Sequence, residues 1–223
     1  MEFKLSFPIN ESVYIKNPDH SDIGRKIIKH GIDLINELGF EHFTFKKLAI
    51  EIGTTEATVY RYFENKHRLL LYIISWYWFY LDYLMDYRLQ NMHDPKKQLE
   101  EIIQILTHEL PESSGGLDYN KKYLNNIVVA ESSKVYLVKE IESINQEGVF
   151  KAYKDLCRKM ATVMLAYNPT YKYPHSLSST IVETAHYQQY FVQYLPRLTD
   201  ANDANKKEYA NVYLTDLLFK VLG

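Results

Sequence analysis

The sequence predicts an all-α chain, and three features carry that prediction. Apolar residues recur at i, i+3, i+4 spacing in one segment after another. Cap residues and glycines stand where those segments would begin and end. No run alternates polar with apolar for long enough to read as a strand. The 223 residues are 46 % hydrophobic, enough for a substantial core in one large or two small domains. The expected organisation is a tail at 1–20, a three-helix bundle at 21–68 and a larger helical domain at 69–223.

Residues 1–20 hold Pro8, Pro18 and mixed polar residues without helical periodicity. Their only cations, Lys4 and Lys16, are few for an arm that enters a minor groove, so the segment reads as inert. The first helix is expected over 21–38, with Ile23, Ile27, Leu34, Ile35 and Leu38 inward and Gly39 at its end. Gly31 lies in its middle, where glycine costs about 1 kcal/mol relative to alanine.

Residues 44–66 are the most informative stretch: Thr-Phe-Lys-Lys-Leu-Ala-Ile-Glu-Ile-Gly-Thr-Thr-Glu-Ala-Thr-Val-Tyr-Arg-Tyr-Phe-Glu-Asn-Lys. Thr44 is placed to cap a short helix whose buried side is Leu48, Ala49 and Ile52. Gly53 suits the left-handed turn that follows. Thr55 caps a second short helix, with Val59 and Phe63 inward. The outward set is then Glu56, Ala57, Thr58, Tyr60, Arg61 and Tyr62, and Asn65 caps a third helix opening at Lys66. Two helices joined by so short a turn form a helix-turn-helix.

Beyond the motif, a helix is expected from Lys66 to about Asn91. Its Leu69–Leu81 stretch is apolar or aromatic nearly all round, yet a membrane span needs about 20 such residues, and Asp82 and Asp86 interrupt it. The core of a large helical domain suits it better. An amphipathic helix follows over 96–110, then a loop at 111–116, two or three helices within 117–167, a break at 168–174, and helices at about 176–195 and 204–222. The last two carry apolar stripes: Leu177, Ile181, Val182, Ala185, Val192 and Leu195, then Ala210, Tyr213, Leu214, Leu217, Leu218 and Val221. Such stripes serve an intramolecular core or an interface between two copies.

The net charge is −2, and 21–68 carries eight Lys/Arg against seven Asp/Glu. Phosphate affinity depends on local cations, so this balance predicts modest non-specific nucleic-acid binding. The eight histidines lack metal-ligand spacing, and no phosphate loop or nucleophile turn appears, so no catalytic residue, metal or cofactor is expected. The single cysteine, Cys157, excludes an internal disulfide framework, and no signal peptide is evident, so a cytoplasmic location is expected.

With the Thr-Val-Tyr-Arg-Tyr-Phe-Glu-Asn-Lys ending, residues 44–66 resemble the DNA-binding segment of TetR-family repressors. The resemblance implies an N-terminal helix-turn-helix bundle followed by a larger helical domain for dimerisation and effector binding. It places Lys46, Glu56, Ala57, Thr58 and Tyr60 at positions that face bases, and Thr44, Tyr62 and Lys66 at phosphate positions. Those residue types fit: lysine donates to guanine, glutamate accepts from cytosine, and methyl groups meet thymine. Thr55 and Arg61 complete the exposed face, although Glu56 reads equally as a first-turn acid on the helix dipole. Thr54 departs from the family pattern, standing in the turn where an apolar residue is usual. The resemblance also implies a homodimer through the last two helices and a small-molecule effector. Trp76, Tyr80, Tyr123, Phe150, Tyr153 and Tyr187 are candidates to line its pocket, against a reading of most of them as core packing.

The expected function is therefore a ligand-responsive, sequence-specific regulator that binds a palindromic double-stranded operator as a dimer. The rival expectations are a helical ligand-binding or protein-interaction module whose DNA motif no longer works, and an α-helical enzyme with a site assembled in space.

Overall fold

The computed structural model describes residues 6–108 and 119–223, among which lie eleven α-helices and no strand. Local chemistry accounts for the first boundaries. Ser21 accepts from the Gly24 N–H to start α1 (Asp22–Leu38), and Gly39 ends it at φ +75°. Thr44 accepts from the Lys47 N–H to start α2 (Phe45–Glu51), and Thr55 does the same from Thr58 for α3 (Glu56–Tyr60). Gly53 takes φ +67° between them. Asn65 accepts from the Arg68 N–H at 2.9 Å and opens α4 (Lys66–Leu89). Each helix start expected in this region is thus made by the residue whose side chain suits it.

The remaining helices are α5 (Pro95–Thr107), α6 (Lys121–Glu131), α7 (Ser133–Tyr136), α8 (Ile141–Gln146), α9 (Lys151–Tyr167), α10 (Pro174–Tyr194) and α11 (Tyr209–Leu222). Four helices begin within 117–167 where two or three were expected, because α7 and α8 are too short to display a period. The expected loop at 111–116 and Lys4 lie outside the described residues.

The chain forms two compact units. The first contains the described residues of Met1–Phe79 and Glu109–Lys151, and the second those of Tyr80–His108 and Ala152–Gly223. In the first unit, Ile27, Ile28, Ile32 and Ile35 of α1 are fully buried with Leu48, Val59, Phe63, Leu69 and Leu70. Segment 121–151 joins this unit through specific polar bonds. Asn126 donates to Asn36 at 3.0 Å, and the buried Glu131 carboxylate accepts from the Phe40 N–H at 3.1 Å. Lys134 bridges Glu131 at 2.8 Å and Glu41 at 2.9 Å. Arg68 pairs with Glu147 at 2.8 Å, and that guanidinium holds the Glu147 carboxyl below its ordinary range.

Residues 6–20 are no free arm. Ile9, Val13 and Pro18 are buried, and Phe7 meets the ring of Trp76 edge-on at 5.2 Å. Asn10 donates to the Glu147 carbonyl at 2.6 Å, and the Ile15 N–H donates to the Tyr62 carbonyl at 2.8 Å. Gly24 admits this packing, since a Cβ there would lie 2.3 Å from the Pro18 carbonyl oxygen. Scattered apolar residues anchor the segment, so helical periodicity gave no sign of it.

In the second unit, α5, α10 and α11 pack on one another around Leu99, Ile102, Ile103, Ile181, Val182, Leu214 and Leu218. Gln189 donates to the Leu106 carbonyl at 3.0 Å, and Asn211 to the Thr107 hydroxyl at 3.3 Å. Lys159 pairs with Asp82 at 2.8 Å and Asp86 at 2.6 Å. Most of the two apolar stripes, including Leu177, Ile181, Val182, Ala185, Ala210, Leu214 and Leu218, is buried inside this unit. Leu195, Tyr213 and Val221 of the stripes are exposed instead, together with Tyr187, Tyr194, Leu198 and Val212 outside them. Among the described residues no helix is long and apolar enough to cross a membrane.

Candidate nucleic-acid interface

The inward faces of α2 and α3 decide what points outward. Leu48, Val59 and Phe63 are 0 % exposed and Ala49 3 %, which fixes the rotation of both helices. Thr44 and Lys46 around α2, and Thr55, Glu56, Ala57, Tyr60 and Arg61 around α3, are exposed, and Thr58 is half-buried. The two threonine caps, both exposed, spend one acceptor site each on the helix start. Thr55 and Thr58 hydroxyls lie 3.0 Å apart, and Arg61 reaches the Thr58 hydroxyl at 3.5 Å. Thr54, half-buried, donates its N–H to the Ala49 carbonyl at 2.8 Å, so its backbone closes the turn.

Tyr60 is 46 % exposed, and its ring meets Phe45 edge-on at 5.0 Å. An edge contact of this kind holds one side of the ring while the rest stays accessible. Phe45 is itself buried, so α2 orients a side chain of α3; the sequence alone gave no hint of this pairing.

Two expected phosphate contacts are placed otherwise. Tyr62 is 2 % exposed, and its phenol shares a hydrogen bond of 2.7 Å with the Ser21 hydroxyl. It follows α3 on the side that packs against the N-terminal segment, so its ring is part of the scaffold. Lys66 spends its ammonium on three carbonyls, Phe40 at 2.9 Å, Glu41 at 3.1 Å and Phe43 at 3.3 Å, and lies 4.7 Å from the centre of the Phe40 ring. Three N–H donors meet three acceptors, and the result ties the start of α4 to the connection between α1 and α2.

Other cations of this region are similarly committed. Arg25 pairs with Asp22 and donates to the Asp19 carbonyl at 2.5 Å, and Lys47 donates to the His42 carbonyl at 2.8 Å. Lys46 and Arg61 stay exposed and form no ion pair among the described residues.

The six aromatic candidates for an effector pocket are mostly packed. In the first unit, Trp76 is 2 % exposed between Phe7 and Tyr119, Phe150 lies against Tyr136, and Tyr123 is half-buried. In the second, Tyr80 is fully buried, Tyr153 donates to Glu183 at 2.7 Å, and Tyr187 stacks on Phe191 at the surface. A cavity of about 620 Å³ in the first unit is lined instead by the N-terminal segment, from Ser6 to Asp19, and by Tyr72. Tyr72 donates to Asp19 at 3.1 Å, and burial and that carboxylate push its phenol well above the ordinary tyrosine range. Burial likewise raises the Cys157 thiol to about 11, which keeps it protonated and unreactive at neutral pH.

Residues 27–73 match the family model described as bacterial regulatory proteins, tetR family. Over the whole fold the chain is similar to the fatty acid degradation regulator FadR from Bacillus halodurans, at 16 % identity across 99 % of this chain and 97 % of that one, with a TM-score of 0.62. AibR, solved in complex with isovaleryl coenzyme A and operator DNA, is also 16 % identical, across 87 % of this chain and 98 % of its own, with a TM-score of 0.59. A tetR-family transcription regulator from Shewanella sp. PV-4 is 14 % identical across 86 % and 96 %, with a TM-score of 0.60. No curated protein sequence matches the chain.

Proposed function

We propose that this chain, whose residues 27–73 match the tetR family model, is a dimeric, ligand-responsive transcriptional regulator that reads a palindromic operator. One observation carries the reading: a helix-turn-helix that buries Leu48, Ala49, Val59 and Phe63, with Ile52 half-buried, leaves Lys46, Thr55, Glu56, Ala57, Tyr60 and Arg61 together on the outside. A short helix bearing methyls, a phenol, a carboxylate and a guanidinium suits a major groove about 12 Å wide. Thr44 and Thr58 flank that set. Such a protein acts where the chromosome is, in the cytoplasm.

One five-residue helix reads only a few base pairs, so specificity requires two copies about 34–36 Å apart on a two-fold site. The surface for that pairing is the exposed apolar part of the α10–α11 stretch, where Tyr187, Tyr194, Leu195, Leu198 and Val212 face solvent. The effector is a small molecule that binds one of two conformations more tightly. A nearly complete switch requires about 5.5 kcal/mol of differential affinity. The fold shared with AibR, which was solved with both an acyl thioester and DNA, supports such coupling.

Selection of bound duplexes from a random pool by the purified protein tests the reading. Enrichment of a palindrome is expected, and adding acyl coenzyme A thioesters or other small acids should release or tighten it. Equal recovery of all sequences removes the DNA-reading function. The rival, a module with a disabled DNA motif, draws on the commitment of Lys66 and Tyr62 to the scaffold. Salt titration separates the two, because a DNA reader loses affinity steeply with salt, whereas the rival has no duplex affinity to lose.

A further inference from the structure

We propose that Lys16 is a phosphate contact of the duplex interface, held beside the recognition helix by a folded N-terminal strap. The inference deepens the DNA-binding reading and rests on it. Its premise is a shortage of available cations. Of those near the helix-turn-helix, Lys66, Arg68, Arg25 and Lys47 are bound to carbonyls or carboxylates of the protein itself. Lys46 and Arg61 remain exposed on the face that enters the groove, so the backbone beside the end of α3 calls for a further cation.

Lys16 stands where that contact is needed. The Ile15 N–H donates to the Tyr62 carbonyl at 2.8 Å, which pins the strap to the residue two beyond the end of α3. The Lys16 ammonium lies 5.2 Å from the centre of the Tyr62 ring. On its other side, the buried Pro18 turn seats against Gly24, and Asn17 caps that turn by accepting from the Asp19 N–H at 2.9 Å. The backbone of residue 16 is therefore fixed at both ends while its side chain stays exposed. Its ammonium forms no ion pair among the described residues.

The geometry favours phosphate over base. Phosphate chains wall both sides of a major groove, so a cation at the C-terminal rim of an inserted helix faces the wall and not the base edges. Tyr62 is buried, and its ring carries the lysine: the aromatic face supports the ammonium, and the phenol is turned inward to Ser21. The phosphate contact expected of Tyr62 thus passes to the residue above it. Anchoring at both ends also lessens the entropy lost when the contact forms.

The test measures operator affinity against salt for the full chain and for Lys16→Gln, with Lys206→Gln as a control for net charge. The expected result is that Lys16→Gln lowers the slope of log Kobs against log salt by about one per bound protomer and weakens matched and mismatched duplexes alike. Lys16→Arg should restore the slope, and Lys206→Gln should leave it unchanged. An unchanged slope in Lys16→Gln overturns the proposal, and so does an equal fall in Lys206→Gln. A lower melting temperature with an unchanged slope makes Lys16 only a prop for Tyr62 and overturns it as well. If wild type binds no duplex at any salt, the DNA-binding reading itself falls and takes this inference with it; a wild type that binds beside a silent Lys16→Gln sinks the inference alone.

Discussion

Tyr60 and Tyr62, two positions apart, show how one residue type divides between contact and scaffold. Tyr62 is held inward by Ser21, whereas Tyr60 leans on Phe45 and keeps nearly half its surface. Tyr60→Ala should weaken specific operator binding by about 1–3 kcal/mol in fluorescence anisotropy, with folding intact. An unchanged binding constant removes Tyr60 from the interface. His186 illustrates a different economy. It is fully enclosed in the second unit, and burial lowers its pKa from 6.5 to about 4. The folded form keeps the ring neutral while the unfolded chain takes up a proton below about 6.5, so stability falls as pH drops from there toward 4. The effect is on the order of 3 kcal/mol. Burial raises the Asp82 carboxyl, which acts in the opposite sense near the lower end of that range. Denaturant midpoints measured from pH 7 to pH 4 should fall more steeply for wild type than for His186→Gln. Parallel curves would show that another group governs the acid limb.

Within α1, two glycines that look alike in sequence carry opposite duties. A Cβ at Gly24 would stand 2.3 Å from the Pro18 carbonyl oxygen and 2.6 Å from its Cα, so the strap would have to move. At Gly31 the nearest atom is a terminal methyl of Leu69 at 3.4 Å, an ordinary contact. Gly31→Ala should therefore gain up to about 1 kcal/mol from helix propensity, and Gly24→Ala should lower the thermal midpoint despite the same propensity gain. Equal midpoints for the two variants would show that the strap does not press on α1. The contrast also marks what the sequence made legible. Caps at Thr44, Thr55 and Asn65 and the turn at Gly53 are local chemistry, so the motif could be read directly. Long-range bonds leave no period, and so the docking of 6–20 and 121–151, the carbonyl cage of Lys66 and the edge contact from Phe45 could not. The apolar stripes of α10 and α11 were legible as stripes, but a 3.6 period does not say whether a core or a partner covers them.

For the whole molecule, that last ambiguity becomes a testable division of labour. Leu214 and Leu218 are 0 % exposed, so that part of the α11 stripe is spent on the second unit's own core, while Tyr213 and Val221 of the same stripe are exposed. Val212 is 64 % exposed, Leu198 59 % and Tyr194 56 %. Stable protein interfaces bury about 800 Å² on each partner, which an apolar surface from two helices and their connection can supply. Charge placed at such exposed positions should break association without disturbing folding, whereas truncating the inward stripe should do the reverse. In size-exclusion chromatography with light scattering, wild type should run at about twice the 26.4 kDa chain mass. The Val212→Asp, Leu198→Asp variant should run as a folded monomer and lose affinity for a full palindrome far more than for a single half-site. Leu214→Ala should instead cost about 2–5 kcal/mol of stability through the cavity it leaves. A wild type that is monomeric at micromolar concentration, or a charged variant that still dimerises, places the pairing surface elsewhere on the molecule.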